Sequence, residues 1–141
     1  MPVVVSLSSL AASPRFLHRV LWLDAATGVA TGLLQLLLAD QLAVLLGLPV
    51  GLLVASGWAL FAYVALIAFI ATRQFIPRPL VWLLIAANAA WVLGCLALLF
   101  GGLAAPTLAG KAFIAVQAVA VGLLAELQWF GVRKAAAQPA W

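Results

Sequence analysis

Four apolar runs, each long enough to cross a lipid bilayer, constrain the fold of this chain more than any other feature. They cover residues 17–38, 50–72, 80–100 and 107–131. A helix needs about 20 residues to cross the hydrocarbon core, and an isolated run in lipid can satisfy its backbone only as a helix. With 68% hydrophobic and 7% charged residues, the chain lies far outside the composition of soluble domains. The sequence therefore predicts an all-α integral membrane protein built as a bundle of four transmembrane helices.

Helix-breaking residues separate the four runs. The three connections are DQLAVLLGLP (40–49), QFIPRP (74–79) and GGLAAP (101–106). Each contains proline, glycine or both, which favours a turn. Since neither a repeat nor a low-complexity linker divides the chain, residues 1–141 are predicted to form a single domain, with loosely ordered tails at 1–14 and 135–141.

The basic residues are distributed unevenly between the connections. Six of the seven lie before or at the start of the first run, in or next to the second connection, or after the fourth run, namely Arg15, Arg19, Arg73, Arg78, Arg133 and Lys134. By the positive-inside rule, this pattern predicts that both termini are cytoplasmic. Lys111, the exception, can extend its side chain to the opposite interface.

Asp24 is an acid inside the first apolar run, where its insertion costs free energy. At about 100° per residue, Asp24 shares a helix face with Gly28, Thr31, Gly32 and Gln35. The spacing of Gly28 and Gly32 allows two helix backbones to approach closely. This face is therefore predicted to contact another helix.

The fourth run carries a similar stripe, Ala118, Gly122 and Glu126, spaced every four residues. Because the fourth run crosses the membrane in the opposite direction to the first, the two stripes match in order and depth. We therefore expect the first and fourth spans to pack along them, within one molecule or between copies, with Asp24 and Glu126 converging.

Three interpretations of these acids remain open. Asp24 could form an ion pair with Arg19 or Arg73 that orients the helices. Asp24 and Glu126 could instead carry a proton or cation, because like charges in low dielectric favour retaining a proton or recruiting a cation. Exposure to lipid headgroups or to a partner is the third interpretation.

Tyr63, Asn88 and Gln117 fall near the bilayer centre on three different runs. They permit a hydrogen-bonded layer that holds the helices together. A small-molecule cavity lined by Trp91, Tyr63 and Asn88 is the alternative.

Several classes of function are not expected. His18 is the only histidine and Cys95 the only cysteine, so no paired haem or metal ligands, no redox pair and no intramolecular disulfide are predicted. No catalytic residues, no phosphate-binding loop and no cofactor are evident, and an enzyme is not expected. The cations lie at the ends of apolar runs rather than in a basic stripe, so nucleic acid is not an expected partner.

Two functions fit the pattern. The first is a non-catalytic membrane subunit, whose partners are the lipid bilayer and either further copies in a homo-oligomer or a larger membrane complex. The second is a small proton-coupled or cation-binding transporter or channel that uses Asp24 or Glu126.

Two resemblances bear on this choice. In its length, its four spans and the acid in its first helix, the chain resembles the small multidrug exporters, which implies transport, although its charge bias departs from the family's dual-topology members. The combinations LDAATG, LGLP, NAAW and AELQWFG are similar to those of small, uncharacterised bacterial membrane proteins. The expected location is the bacterial cytoplasmic (inner) membrane.

Overall fold

The computed structural model describes residues 14–136, with the side chains of 15–133, and all regular elements in this part are α-helices. In chain order they are α1 (Pro14–Leu37), α2 (Ala39–Leu46), α3 (Val50–Ala71), α4 (Arg78–Phe100) and α5 (Leu108–Ala136). Four of them, α1, α3, α4 and α5, are long and apolar enough to span a membrane. The predicted all-helical class with four candidate spans is confirmed.

The ends of the chain match the predicted tails only in part. Pro14 already belongs to α1, and α5 continues to Ala136, inside the predicted C-terminal tail. The rest of both tails, 1–13 and 137–141, lies outside the described residues. The side of the membrane on which the termini lie stays a prediction.

The first connection differs most from expectation, because it contains the eight-residue helix α2 instead of a simple turn. Ala39, Leu42 and Leu46 recur at helical spacing and are buried. The helix ends at Gly47, whose φ of 66° is left-handed and suits glycine, and whose amide donates to the carbonyl of Ala43. The short apolar face of α2 thus packs against the bundle.

The four long helices associate as two antiparallel pairs, α1 with α3 and α4 with α5. The pairs meet mainly through α1 and α5, whereas α3 and α4 contact each other only sparsely. We call the gap between these last two helices the α3–α4 seam. The bundle is therefore closed on one side and loosely packed on the opposite side.

Two apolar cores occupy opposite ends of the bundle. The core at the end bearing the arginines, which we call the basic end, includes Leu17, Leu21, Ile67, Ile70, Val81, Leu84 and Val132. The core at the other end, called the α2 end, includes Leu42, Leu46, Leu53, Cys95 and Ile114. The buried polar side chains of the molecule lie between these cores or beside them.

The α2 helix docks onto the start of α5 through backbone contacts. The amide of Thr107 donates to the carbonyl of Leu46 at 3.0 Å, and its hydroxyl donates to the carbonyl of Leu45 at 2.7 Å. The same hydroxyl oxygen accepts a bond from the Gly110 amide at 3.1 Å, as an N-cap residue does. A Cβ atom at Gly110 would overlap the carbonyl oxygen of Leu46, so this approach requires glycine.

The glycine stripe of α1 faces α3. A Cβ atom at Gly28 would lie 2.7 Å from Cγ2 of Val64, and one at Gly32 would lie 3.0 Å from Cε2 of Phe61. On the other side of the contact, a Cβ atom at Gly57 would lie 2.9 Å from Cγ of Leu36. Helices that follow each other along the chain usually pack together, and here small residues on both permit a close approach.

The stripe of α5 does not meet this face. Gly122 is half-buried and points toward α4, where a Cβ atom would lie 4.0 Å from Cγ2 of Val92. Ala118 packs against the core at the α2 end, and Glu126 is exposed. For a single molecule, the prediction that the two stripes pack together is wrong, because α3 covers the α1 stripe. Packing between copies stays a prediction.

Candidate functional site

Four polar side chains, one from each of the four long helices, meet inside the bundle. Asp24 comes from α1, Tyr63 from α3, Asn88 from α4 and Gln128 from α5. We call them the polar cluster. Asp24, Asn88 and Gln128 are all buried, and Tyr63 is half-buried. The cluster therefore ties together the two helix pairs.

A single oxygen of Asp24 is the centre of this cluster. Oδ2 accepts hydrogen bonds from Oη of Tyr63 at 2.6 Å, Nε2 of Gln128 at 2.5 Å and Nδ2 of Asn88 at 3.4 Å. Nδ2 of Asn88 also donates to Oε1 of Gln128 at 3.1 Å. Within the described residues, the second oxygen, Oδ1, accepts no hydrogen bond. Asp24 thus has one well-bound oxygen and one free for another partner.

All the hydrogen-bond partners of the Asp24 carboxylate are neutral, and the ion pair with Arg19 or Arg73, one of the three interpretations, is not found among the described side chains, 15–133. The guanidinium of Arg73 lies instead over the ring of Phe69, 3.9 Å from its centroid, and Arg19 is exposed. Both arginines reach outward because a charged head is solvated better at the bundle end than in its interior. The burial of Asp24 leaves its charge without a counter-charge among the side chains that the structure describes.

A cavity of about 250 Å³ adjoins the polar cluster. We call it the first cavity. Five of the six polar and aromatic candidates from the sequence lie in its wall, namely Asp24, Tyr63, Asn88, Trp91 and Gln117. Residues that are far apart along the chain thus surround one space, which combines a carboxylate, amides and two aromatic rings.

A second cavity, of about 570 Å³, lies toward the α2 end. It shares Trp91 and Gln117 with the first cavity, and the indole Nε1 of Trp91 donates to Oε1 of Gln117 at 3.1 Å. Its wall also includes Gln35, whose Oε1 accepts a bond from the hydroxyl of Ser56 at 2.6 Å. The hydrogen bond between Trp91 and Gln117 therefore marks the border between the two cavities.

Glu126 does not reach the polar cluster. It is exposed on α5, beside the exposed side chains of Leu123, Leu127 and Phe130. At about 100° per residue it lies roughly opposite Gln117 on the helix. Because Gln117 points into the bundle, Glu126 must point out of it. The expected convergence of two carboxylates within one molecule is therefore wrong.

Gln128 is the residue of the site that the sequence reading missed. A signal for it exists, because Gln128 follows Gln117 by eleven residues, which places the two about 20° apart on a helix. It also lies near the end of the fourth run, and Asp24 near the start of the first, so the two match in depth. The stripe of small residues that ends in Glu126 predicted the wrong face of α5 as the one that contacts α1.

This arrangement suits the binding of a proton or small cation more than bond-breaking chemistry. Asp24 offers a carboxylate oxygen beside a cavity, and nearby aromatic rings can face a cation. The part of the chain that the structure describes has no group of three or more His, Cys, Asp or Glu side chains that could hold a metal ion.

Comparison with protein-family models, curated proteins and solved structures finds no match to this chain. What the protein does must be inferred from the polar cluster and the cavities.

Proposed function

We propose that the protein binds a proton or a small cation at Asp24 and acts as a small transporter or channel for it. The observation that carries this proposal is a buried carboxylate with no counter-charge among the described side chains, 15–133. Among the buried residues that the structure describes, Asp24 is the only charged one. An isolated charge in a low-dielectric interior is strongly unfavourable, so a proton or a cation must neutralise it.

The hydrogen bonds around Asp24 support a reversible site. Three neutral donors hold Oδ2 in place, and Oδ1 is left for the incoming ion. Hydrogen bonds to an ionised group are stronger than bonds to a neutral one. Neutralising Asp24 therefore weakens its links to α3, α4 and α5 together, which couples occupancy of the site to the packing of the bundle.

The setting of the first cavity favours a small ligand. Trp91 and Tyr63 both line its wall, and the face of an aromatic ring attracts a cation by about 0.5–2 kcal/mol. The volume of about 250 Å³ suits an ion or a small solute rather than a large molecule.

The charge distribution suggests the orientation. Five arginines bound the basic end, namely Arg15, Arg19, Arg73, Arg78 and Arg133. With this end in the cytoplasm, both termini are cytoplasmic and Asp24 lies in the cytoplasmic half of the membrane. The location we propose is a bacterial inner membrane, because the combinations LDAATG and AELQWFG are similar to those of small bacterial membrane proteins.

A second candidate function, assembly with copies of the chain or with another membrane protein, is favoured by Glu126. This acid is exposed on an otherwise apolar face of α5. A carboxylate on a membrane helix usually faces protein or water rather than lipid. If Glu126 mediates assembly, Glu126→Gln changes the mass of the complex in native mass spectrometry, whereas Asp24→Asn does not.

Infrared difference spectroscopy of the reconstituted protein tests the binding of ions. A protonated carboxylic acid has a carbonyl stretch that disappears on ionisation. We expect such a band from Asp24 to vanish as the pH rises, or when sodium or methylammonium displaces the proton, and to be absent from Asp24→Asn. A band that responds to neither pH nor these cations would contradict the proposal and leave Asp24 a permanently neutral packing residue.

Proton flux into proteoliposomes tests transport. A dye trapped in the lumen reports pH after a pH gradient is imposed together with a membrane potential. Asp24→Asn should remove the flux while the protein still elutes as the wild type does, and Glu126→Gln should retain it. Equal flux through wild type and Asp24→Asn would refute a role for Asp24 in proton transport.

A further inference from the structure

We propose that the cation bound at Asp24 is a small primary ammonium ion, whose three N–H groups bind at the polar cluster and whose apolar group lies in the first cavity. This inference rests on the proposed function, because it names the class of cation that Asp24 binds. Three features of the site support it: two buried oxygen atoms without a donor, the apolar lining of the first cavity, and its volume.

Two buried oxygen atoms beside the first cavity have no hydrogen-bond donor among the described residues. The first is Oδ1 of Asp24, and the second is Oδ1 of Asn88, whose two hydrogen bonds are both donated by its Nδ2. The two side chains are only 4% and 5% exposed. Both residues line the first cavity, whereas Gln128, which accepts from Nδ2 of Asn88, does not. Because a buried acceptor without a donor is costly, these oxygens favour a ligand with several donors.

A primary ammonium group matches these acceptors in number and charge. It is positively charged at neutral pH, as the side chain of lysine is, and it has three N–H donors. Two of the donors can bind the free oxygens of Asp24 and Asn88. The third can bind Oη of Tyr63, whose own hydrogen is donated to Asp24 at 2.6 Å. Such an ion neutralises the carboxylate and also supplies a donor to each free oxygen.

The rest of the wall of the first cavity is mostly apolar. It includes Leu60 of α3, Trp91 of α4, and Val121 and Leu124 of α5. A hydrocarbon group gains dispersion contacts with such a wall and needs no hydrogen bonds from it. A hard metal cation instead needs oxygen ligands on several sides, which alkyl side chains do not supply. A proton alone would neutralise Asp24 but leave the dispersion contacts unmade.

The volume of the first cavity limits the size of the ligand. A water molecule takes about 30 Å³ in the liquid, so a cavity of about 250 Å³ has room for about eight groups of that size. Counting each non-hydrogen atom as one such group, an amine of up to about eight non-hydrogen atoms fits. A long-chain amine is therefore excluded.

The first cavity reaches the surface at the α3–α4 seam. Ala59 of α3 and Ala87 of α4 both line the cavity, and both are exposed. Because α3 and α4 contact each other only sparsely, a ligand of this size can enter between their small side chains.

The binding of two isomeric cations to the wild-type chain tests the class of ligand. Isobutylammonium and tetramethylammonium have the same atoms and the same charge, but only the first has N–H donors. Isothermal titration calorimetry of the full chain in micelles of a non-ionic detergent measures both affinities. We expect isobutylammonium to bind at least about tenfold more tightly, because hydrogen bonds to charged groups are lost with tetramethylammonium. Equal or tighter binding of tetramethylammonium would overturn the proposal, and so would equal competition by sodium.

A pair of variants tests the contact with Asn88. Asn88→Leu removes the free carbonyl oxygen, and we expect the preference for isobutylammonium over tetramethylammonium to fall by about three- to tenfold. The matched control, Gln35→Leu, also replaces a buried amide, but Gln35 does not line the first cavity, so the preference should be unchanged. A loss of stability affects both cations alike, because the preference is a ratio measured on one protein. An equal preference in the two variants would refute the contact with Asn88.

Infrared difference spectroscopy of the wild type distinguishes a failure of this inference from a failure of the proposed function. We expect isobutylammonium, but not tetramethylammonium at the same concentration, to remove the carbonyl band of protonated Asp24. A band that responds to pH but not to isobutylammonium would overturn this inference and leave proton binding at Asp24 in place. A band that responds to neither pH nor any of the cations would overturn both. The wild-type measurements do not depend on whether Asn88→Leu folds.

Discussion

Replacing Gln128 with leucine should destabilise the bundle through the polar cluster. The side chain is 0% exposed, and it donates to Asp24 and accepts from Asn88. Leucine is of similar size and apolar, so the change removes hydrogen bonds with little change in volume. Asp24 then loses its shortest hydrogen bond, and the amide of Asn88 loses an acceptor.

The expected loss of stability follows from the number of hydrogen bonds that Gln128 makes. Hydrogen bonds between membrane helices contribute about 0.6 kcal/mol on average and about 1.7 kcal/mol at most. For the two bonds of Gln128 we expect a loss of about 1 to 3 kcal/mol in the free energy of unfolding, which is about a 5- to 150-fold change in the equilibrium constant. Glu126→Gln, two residues away and exposed, should change the free energy of unfolding by less than about 0.5 kcal/mol.

Equilibrium unfolding in mixed micelles, with an increasing fraction of sodium dodecyl sulfate and tryptophan fluorescence as the readout, measures these changes. A double-mutant cycle with Asp24→Leu isolates the contact with Asp24. In the Asp24→Leu background, Gln128→Leu should lower the free energy of unfolding by about 0.6 to 1.7 kcal/mol less than it does in the wild type. The reasoning is refuted if Gln128→Leu is as stable as Glu126→Gln, or if its cost is the same with and without the carboxylate.

Three further predictions concern the packing of the helices, and the same unfolding assay checks them. Gly110→Ala should destabilise by about 1 to 3 kcal/mol, because its Cβ overlaps a backbone carbonyl of α2, whereas Gly94→Ala, with open space around it, should be nearly neutral. Thr107→Ala should cost about 0.5 to 2 kcal/mol through loss of the cap of α5 and of the bond to α2, and no loss would contradict that role. Gly28→Ala should be more destabilising than Gly122→Ala, because only the first Cβ comes within 3 Å of a neighbour, and the reverse order would show that α1 packs differently.

Much of the site could be predicted from single helices. Hydropathy over about 20 residues identified the spans, and the helical period placed Asp24, Gly28 and Gln35 on one face that is indeed buried at these three positions. The same rules placed Tyr63 and Asn88 near the bilayer centre. Each of these inferences uses residues within one helix, where geometry depends only on the rise and rotation per residue.

The pairing of the helices could not be predicted in this way. Gly28 and Gly32 faced α3 and not α5, Glu126 turned outward, and Gln128 took the place by Asp24 that Glu126 was expected to take. In water, an apolar stripe marks the inside of a protein. In lipid, an apolar side chain has a similar free energy against a neighbouring helix and against an acyl chain. Hydropathy therefore does not distinguish helix faces inside the bundle from faces exposed to lipid.

By itself, then, the sequence determined how many helices are long and apolar enough to span a membrane, where they begin and end to within a few residues, and which side chains share a face. Only the tertiary structure decided which faces meet, that side chains from the three other long helices converge on one oxygen of Asp24, and that cavities remain beside them. The physical reason is that the first set of properties depends on neighbours along the chain, whereas the second depends on steric fit and hydrogen bonds between residues as far apart as Asp24 and Gln128.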